Sequence, residues 1–99
     1  MIELGIFTKD KEQFEQIIDL LIEYLHCPSH RRGSDIAQWR LPLINITVHR
    51  GASNARGYKY DLIYYDEGIL QEELYELIYP CCVGGRPREI GWLLKILER

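Results

Sequence analysis

Ile2, Leu4 and Ile6 alternate with Glu3 and Gly5 at the start of the chain, the two-residue period of a short strand. Thr8 or Asp10 then offers a helix N-cap ahead of Glu12 and Gln13. Beyond it Phe14, Ile17, Ile18, Leu21, Ile22 and Leu25 recur at three- and four-residue steps with Glu15, Asp19 and Glu23 between them, so an amphipathic helix ends before Pro28. The polar stretch His26 to Asp35 reads as a loop. Ile36 to Leu41 and Leu43 to His49 read as two strands, and Pro42 between them marks a hairpin turn. In the second strand Leu43, Asn45 and Thr47 oppose Ile44, Ile46 and Val48, so its two faces differ.

Arg50 to Gly57 is a second loop, and Tyr60 to Tyr65 follows as the most apolar strand. A helix is expected from about Leu70 to Tyr79, with Leu70, Leu74, Leu77 and Ile78 on one side and Glu72 and Glu73 at its positive end. Pro80 stops it. Cys81 to Arg86 is a third loop, with Gly84-Gly85 as a turn, and Pro87 takes the first position of a last helix carrying Ile90, Leu93, Leu94 and Leu97. The order is strand, helix, hairpin, strand, helix, helix. It predicts an α/β fold: a small mixed sheet of about four strands, parallel at its centre, flanked by three helices.

Composition adds bounds. Ninety-nine residues fit one domain, 1–99, with 46% hydrophobic and 27% charged residues, an ordinary globular balance. A net charge of -3 supplies no global basic field, so any nucleic-acid contact has to be local. The opening MIELGIFTKDKE has neither the basic start nor the apolar run of a signal peptide, and no stretch reaches the roughly 18 apolar residues of a membrane span. Three cysteines, two of them adjacent, suit a reducing compartment, and the cytoplasm is the expected location.

Chemistry concentrates where the apolar strand ends, at Asp66-Glu67. A carboxylate there meets solvent where α/β sheets bind ligands. The Asp can hold Mg²⁺ and the Glu can orient or deprotonate an attacking water. The same two residues can instead cap the next helix through the turn Asp66-Glu67-Gly68.

The run Arg56-Gly57-Tyr58-Lys59-Tyr60-Asp61-Leu62-Ile63-Tyr64-Tyr65-Asp66-Glu67 resembles the segment around Walker B in phage large-terminase ATPases and related helicase-like motors. The likeness extends outward: Gln38 to His49 is similar to the hairpin ahead of their Arg-Gly loop. Gly5-Ile6-Phe7-Thr8-Lys9 and the helix after it look like the segment following their phosphate loop, and Leu70 to Pro80 like the helix after Walker B. The resemblance implies a phage or mobile-element origin, a DNA or motor-protein partner, and Asp66 and Glu67 as the catalytic pair, with Mg²⁺ at Asp66. The chain departs from that family in having no Gly-Lys pair and hence no Walker A. Backbone N–H groups and the Walker A Lys cradle the phosphates, so without them Asp66 and Glu67 have nothing bound to act on. The expectation is a non-catalytic remnant of such an ATPase. The alternative is a small protein-interaction module, for instance a host-directed inhibitor or regulator, without nucleotide or metal chemistry.

Arg31 and Arg32 with His30, then His49, Arg50, Arg56 and Lys59, then Arg86 and Arg88 lie in loops. If these loops meet at one end of the sheet, Arg31, Arg32, Arg50, Arg56 and Lys59 form a nucleic-acid patch beside Trp39 or tyrosines; otherwise they are solvated surface. His26, Cys27, His30, Cys81 and Cys82 are soft ligands at spacings unlike the common zinc sites, and read more simply as loop and core residues. A metal-dependent nuclease would draw on Asp61, Asp66 and Glu67. Tyr58, Tyr60, Tyr64, Tyr65, Tyr75 and Tyr79 at such density fit a half-exposed interface, and the edges of a small sheet suggest a homodimer.

Overall fold

The computed structural model describes residues 1–98. Strand β1 (Ile2–Thr8) leads into helix α1 (Lys11–Leu25), which ends on His26 in the left-handed conformation (φ 58°). Strands β2 (Arg31–Arg32), β3 (Ile36–Arg40) and β4 (Ile44–Arg50) form an antiparallel run, and β5 (Leu62–Tyr65) returns after a long crossing loop. A helical segment follows: one α turn, α2 (Gln71–Glu73), a π-helical stretch over Leu74–Ile78 and a 3-10 turn over Tyr79–Cys81. Strand β6 (Arg88–Glu89) and helix α3 (Gly91–Leu97) complete the fold.

The sheet order is β2-β3-β4-β1-β5-β6. β1 is central and parallel to both neighbours, with Ile6 beside Val48 on one side and beside Tyr64 on the other. β5 is parallel to β6, while β3 is antiparallel to both β2 and β4. The mixed sheet with a parallel centre is thus as expected from the pattern of the chain, but it has six strands rather than about four. The two additional strands are the edges, each of two residues, too short for an alternating pattern to show in the sequence.

Three boundaries also differ from expectation. β5 begins at Leu62 rather than Tyr60, which makes only an isolated bridge to Cys82. Nor is β5 fully covered: β6 pairs with Tyr64 and Tyr65 alone, and Leu62 is left 42% exposed. The helix expected at 70–79 unwinds into π geometry because Tyr79 donates its N–H to the Leu74 carbonyl. The last helix starts at Gly91, since Arg88 and Glu89 are drawn into the sheet after Pro87.

Alternation along β1 divides the apolar residues between two cores. Leu4 and Ile6 face α1, joining Phe14, Ile17, Ile18, Trp39, Val48, and Leu93 and Leu97 of α3. Phe7 faces the other way, with Ala52, Ala55, Tyr60, Ile63, Leu74, Ile78 and Cys81. Each fully buried large side chain contributes about 2–3 kcal/mol. Gly5 is the pivot of the second core. A Cβ there would lie 2.6 Å from the Tyr60 ring, so glycine is what lets that ring lie flat on the central strand.

Gly5→Ala is therefore expected to lower the unfolding free energy by about 2 kcal/mol through overpacking. Gly91→Ala, where nothing stands within 4 Å of the added carbon, should be neutral or stabilising by about 0.5 kcal/mol. Urea denaturation of the two variants checks both.

Candidate functional site

β1 sends its chain to α1 on one face of the sheet, whereas its neighbour β5 sends its chain to the helical segment on the other. Adjacent strands that part in this way open a crevice at their carboxyl ends, the usual ligand position of an α/β sheet. Lys9, the N-terminus of α1, and Asp66 to Gly68 line it.

Asp66 is half-buried one residue past β5, its N–H donated to the Phe7 carbonyl. Its Oδ1 accepts the Gly68 N–H at 2.7 Å, and its backbone carbonyl accepts the Ile69 N–H at 3.0 Å, which closes the turn leading to the helical segment. Gly68 fits because a Cβ there would meet Asp66 Oδ1 at 2.8 Å and the Lys9 stem at 3.2 Å. Asp66 Oδ2 accepts from Gln13 Nε2 at 2.6 Å. Both carboxylate oxygens are thus engaged by the protein. Glu67 is exposed.

Gln13 is the residue that sequence reading passed over. Its own N–H is capped by Asp10 Oδ1 at 2.9 Å, and its Oε1 accepts the Lys9 N–H at 2.9 Å. The Asp10-to-Gln13 spacing is that of a capping box, and this signal was present in the sequence. What spacing could not reveal is that the far end of the same amide reaches across to Asp66.

The chemistry available follows from these bonds. A helix N-terminus attracts phosphate through free N–H groups and a positive dipole end. Here Asp10 occupies that position with its own carboxylate, and Glu12 stands beside it in a cleft of about 190 Å³ lined also by Lys9, Gln13 and Gln16. Two carboxylates, Asp10 and Glu12, thus stand against the single Lys9 ammonium beside the place a phosphate would take. Among the described residues no group of three His, Cys, Asp or Glu side chains is placed to share an ion.

The other anticipated sets are dispersed. Asp61 is at the opposite end of β5 from Asp66, its Oδ2 accepting the Glu3 N–H at 2.8 Å. Cys27 packs against the α1 core, and its carbonyl accepts Trp39 Nε1–H at 3.2 Å; Cys81 lies in the core across the sheet, where burial pushes its thiol pKa up. Arg31 and Arg32 sit on the β2 edge, with Arg32 paired to Glu15. Arg50 stands at the carboxyl end of β4, 3.8 Å from Asp35. Arg56 is exposed on the crossing loop, and Lys59 reaches the Pro80 carbonyl (3.0 Å) at the amino end of the sheet. These five cations do not converge on one end.

His49 belongs to no basic patch: it is fully buried at the heart of the second core. Its ring stacks on Phe7 at 4.4 Å and meets Tyr58 edge-on. Nδ1 lies 2.8 Å from Asn54 Oδ1 and Nε2 lies 2.5 Å from the Tyr60 hydroxyl. Asn54 offers its oxygen to His49 while its Nδ2 donates to the Asp35 carbonyl, so Nδ1 carries the ring proton and Nε2 accepts from Tyr60. Burial lowers the His49 pKa to about 4, against the raising effect of the Asn54 bond, and burial likewise raises that of Tyr60.

Comparison with protein-family models, curated proteins and solved structures gave no match to this chain.

The buried imidazole gives the protein a defined acid limit. Unfolded, His49 takes its proton near 6.5; folded, only near 4. Between these values the unfolded chain binds more protons, so this contribution is intact above pH 6.5 and is lost as pH falls toward 4, by roughly 3 kcal/mol at most. The difference between wild-type and His49→Gln stability, followed by chemical denaturation across that window, should show this slope.

Proposed function

We propose that the protein is a non-catalytic interaction module that works through its surface, with no nucleotide or metal chemistry at Asp66-Glu67. The observation that carries this reading is the double engagement of Asp66, bound by the Gly68 N–H and the Gln13 amide. A carboxylate that holds a turn and bridges to a capped helix is serving the fold. Both sheet edges are two-residue charged strands, Arg31–Arg32 and Arg88–Glu89, and short charged edges resist pairing with another sheet. Any partner, a second copy of this chain included, is then met by side chains rather than by edge backbone. Three free thiols favour the cytoplasm as the place of action.

One observation favours a second reading, the terminase-like remnant that binds DNA or a motor protein without hydrolysing ATP. β1 and β5 are parallel neighbours, Phe7 opposite Tyr65, with Asp66 directly beyond. That arrangement is the one a Walker B-type strand beside Ile2–Thr8 requires.

Raising Mg²⁺ to millimolar concentration should leave the melting temperature unchanged, whereas a metal site gives stabilisation that grows with concentration. Asp66→Asn keeps an acceptor for the Gly68 N–H but turns an amide toward Gln13, so it should cost about 1 kcal/mol with or without Mg²⁺.

A further inference from the structure

Two of the three aromatic side chains that are more than half exposed, Trp92 and Tyr75, lie around Tyr65, and the third, Tyr24, lies apart on α1. β5 and β6 place Tyr65 directly beside Glu89, and a cleft of about 370 Å³ is lined by Tyr65, Pro87, Arg88, Glu89 and Trp92. That volume suits a side chain or a small ligand, and the cleft opens at the carboxyl ends of two parallel strands. Trp92 is 60% exposed, with the Lys95 ammonium 4.9 Å from its ring centroid. This ring thus already holds a cation within the chain. Next to the cleft the π-helical stretch carries Tyr75, 59% exposed, stacked on Tyr79 at 5.0 Å. π-Helical turns recur at functional sites.

Between Glu67 and Lys95 the chain carries five carboxylates, Glu67, Glu72, Glu73, Glu76 and Glu89, against three bases, Arg86, Arg88 and Lys95. Glu89, Tyr79, Tyr75 and Glu67 all act on the Tyr65 phenol, adding to burial in raising its pKa. Glu72, Glu73 and Glu76 lie on the same helical segment, which has no basic residue between Gln71 and Cys81. Arg88 is the one base in the cleft lining. Ring faces offer negative quadrupole density, and carboxylates at their margin supply net charge, a combination that recognises organic cations.

From this juxtaposition we infer that the Tyr65 cleft, with Trp92, Tyr75, Glu67 and Glu89 around it, is a docking site for lysine or arginine side chains of a basic segment on a protein partner. The inference rests on the interaction-module reading and names the chemistry of its partner. Single-stranded nucleic acid also stacks on aromatic side chains, but its phosphates would meet Glu67 and Glu89 beside Tyr65.

A fluorescein-labelled oligo-arginine peptide, followed by anisotropy and by Trp92 emission, tests it on the whole chain. Tyr75 and Glu89 are exposed, so Tyr75→Ala and Glu89→Lys leave both cores intact, which thermal melting verifies. Saturable binding should weaken about three- to tenfold in each variant. Glu23→Lys makes the same change in net charge on α1, where it lines a separate cleft with Tyr24, His26 and Leu97, and should weaken binding by less than about twofold. The docking site is overturned if the peptide does not bind, if Glu23→Lys weakens binding as much as Glu89→Lys, or if a labelled oligothymidylate binds at the cleft in its place. Peptide failure with a Mg²⁺-independent melting temperature removes the docking site alone, whereas Mg²⁺-dependent stabilisation removes the module reading beneath it.

Discussion

The contact on which the rest depends is the Tyr60 ring laid on Gly5. β1 lies inside the sheet with β4 and β5 parallel to it on either side, and Gly5 is the gap in its side-chain row on the second face. Tyr60 fills that gap, and its hydroxyl, which burial would otherwise strand, donates to His49. His49 in turn donates to Asn54, and Asn54 to the Asp35 carbonyl. One aromatic ring thereby fixes the crossing loop between β4 and β5, a connection that has no helix to hold it down. Gly51 and Gly57, at positive φ, turn the chain into and out of that loop.

A small domain that must bury polar groups to anchor a loop has few left for ligands. His49, the best general base by residue type, is held neutral between two hydrogen bonds out of reach of solvent. Asp66, the best metal ligand by position, is shared between a turn and the Gln13 amide. The same economy applies at the N-terminus of α1, where the Asp10 carboxylate takes the Gln13 amide. What remains unspent is on the outside: Trp92, Tyr75 and the carboxylates around Tyr65. The functional reading follows from that division.

The parts of this arrangement legible in the sequence were those with a period. α1 showed itself through its apolar stripe, and β3, β4 and the central strand through alternation, because burial on a face imposes the spacing. β2 and β6 were hidden because two residues carry no period. The π geometry of Leu74–Ile78 was hidden because the apolar positions of a π turn and an α turn coincide over so short a run. At the candidate site, Asp66 was found from its place after an apolar strand, but its bond to Gln13 spans 53 residues and leaves no local trace. His49 was misread as part of a basic cluster for a related reason. It ends a strand and precedes Arg50, and only the tertiary packing of Phe7, Tyr58 and Tyr60 shows it as a core residue.

On this account the crevice between β1 and β5 admits no nucleotide, because Asp10, Gln13 and Asp66 commit their polar groups to the fold. The most direct test is a titration of the ¹⁵N-labelled chain with Mg²⁺-ATP, watching the amides of Lys9, Gln13, Asp66 and Gly68 together with the Gln13 side-chain NH₂. Unchanged resonances at these five groups up to millimolar nucleotide are the predicted result. Saturable shifts confined to them, with loss of the Gln13 NH₂ signal from its hydrogen-bonded position, would contradict it.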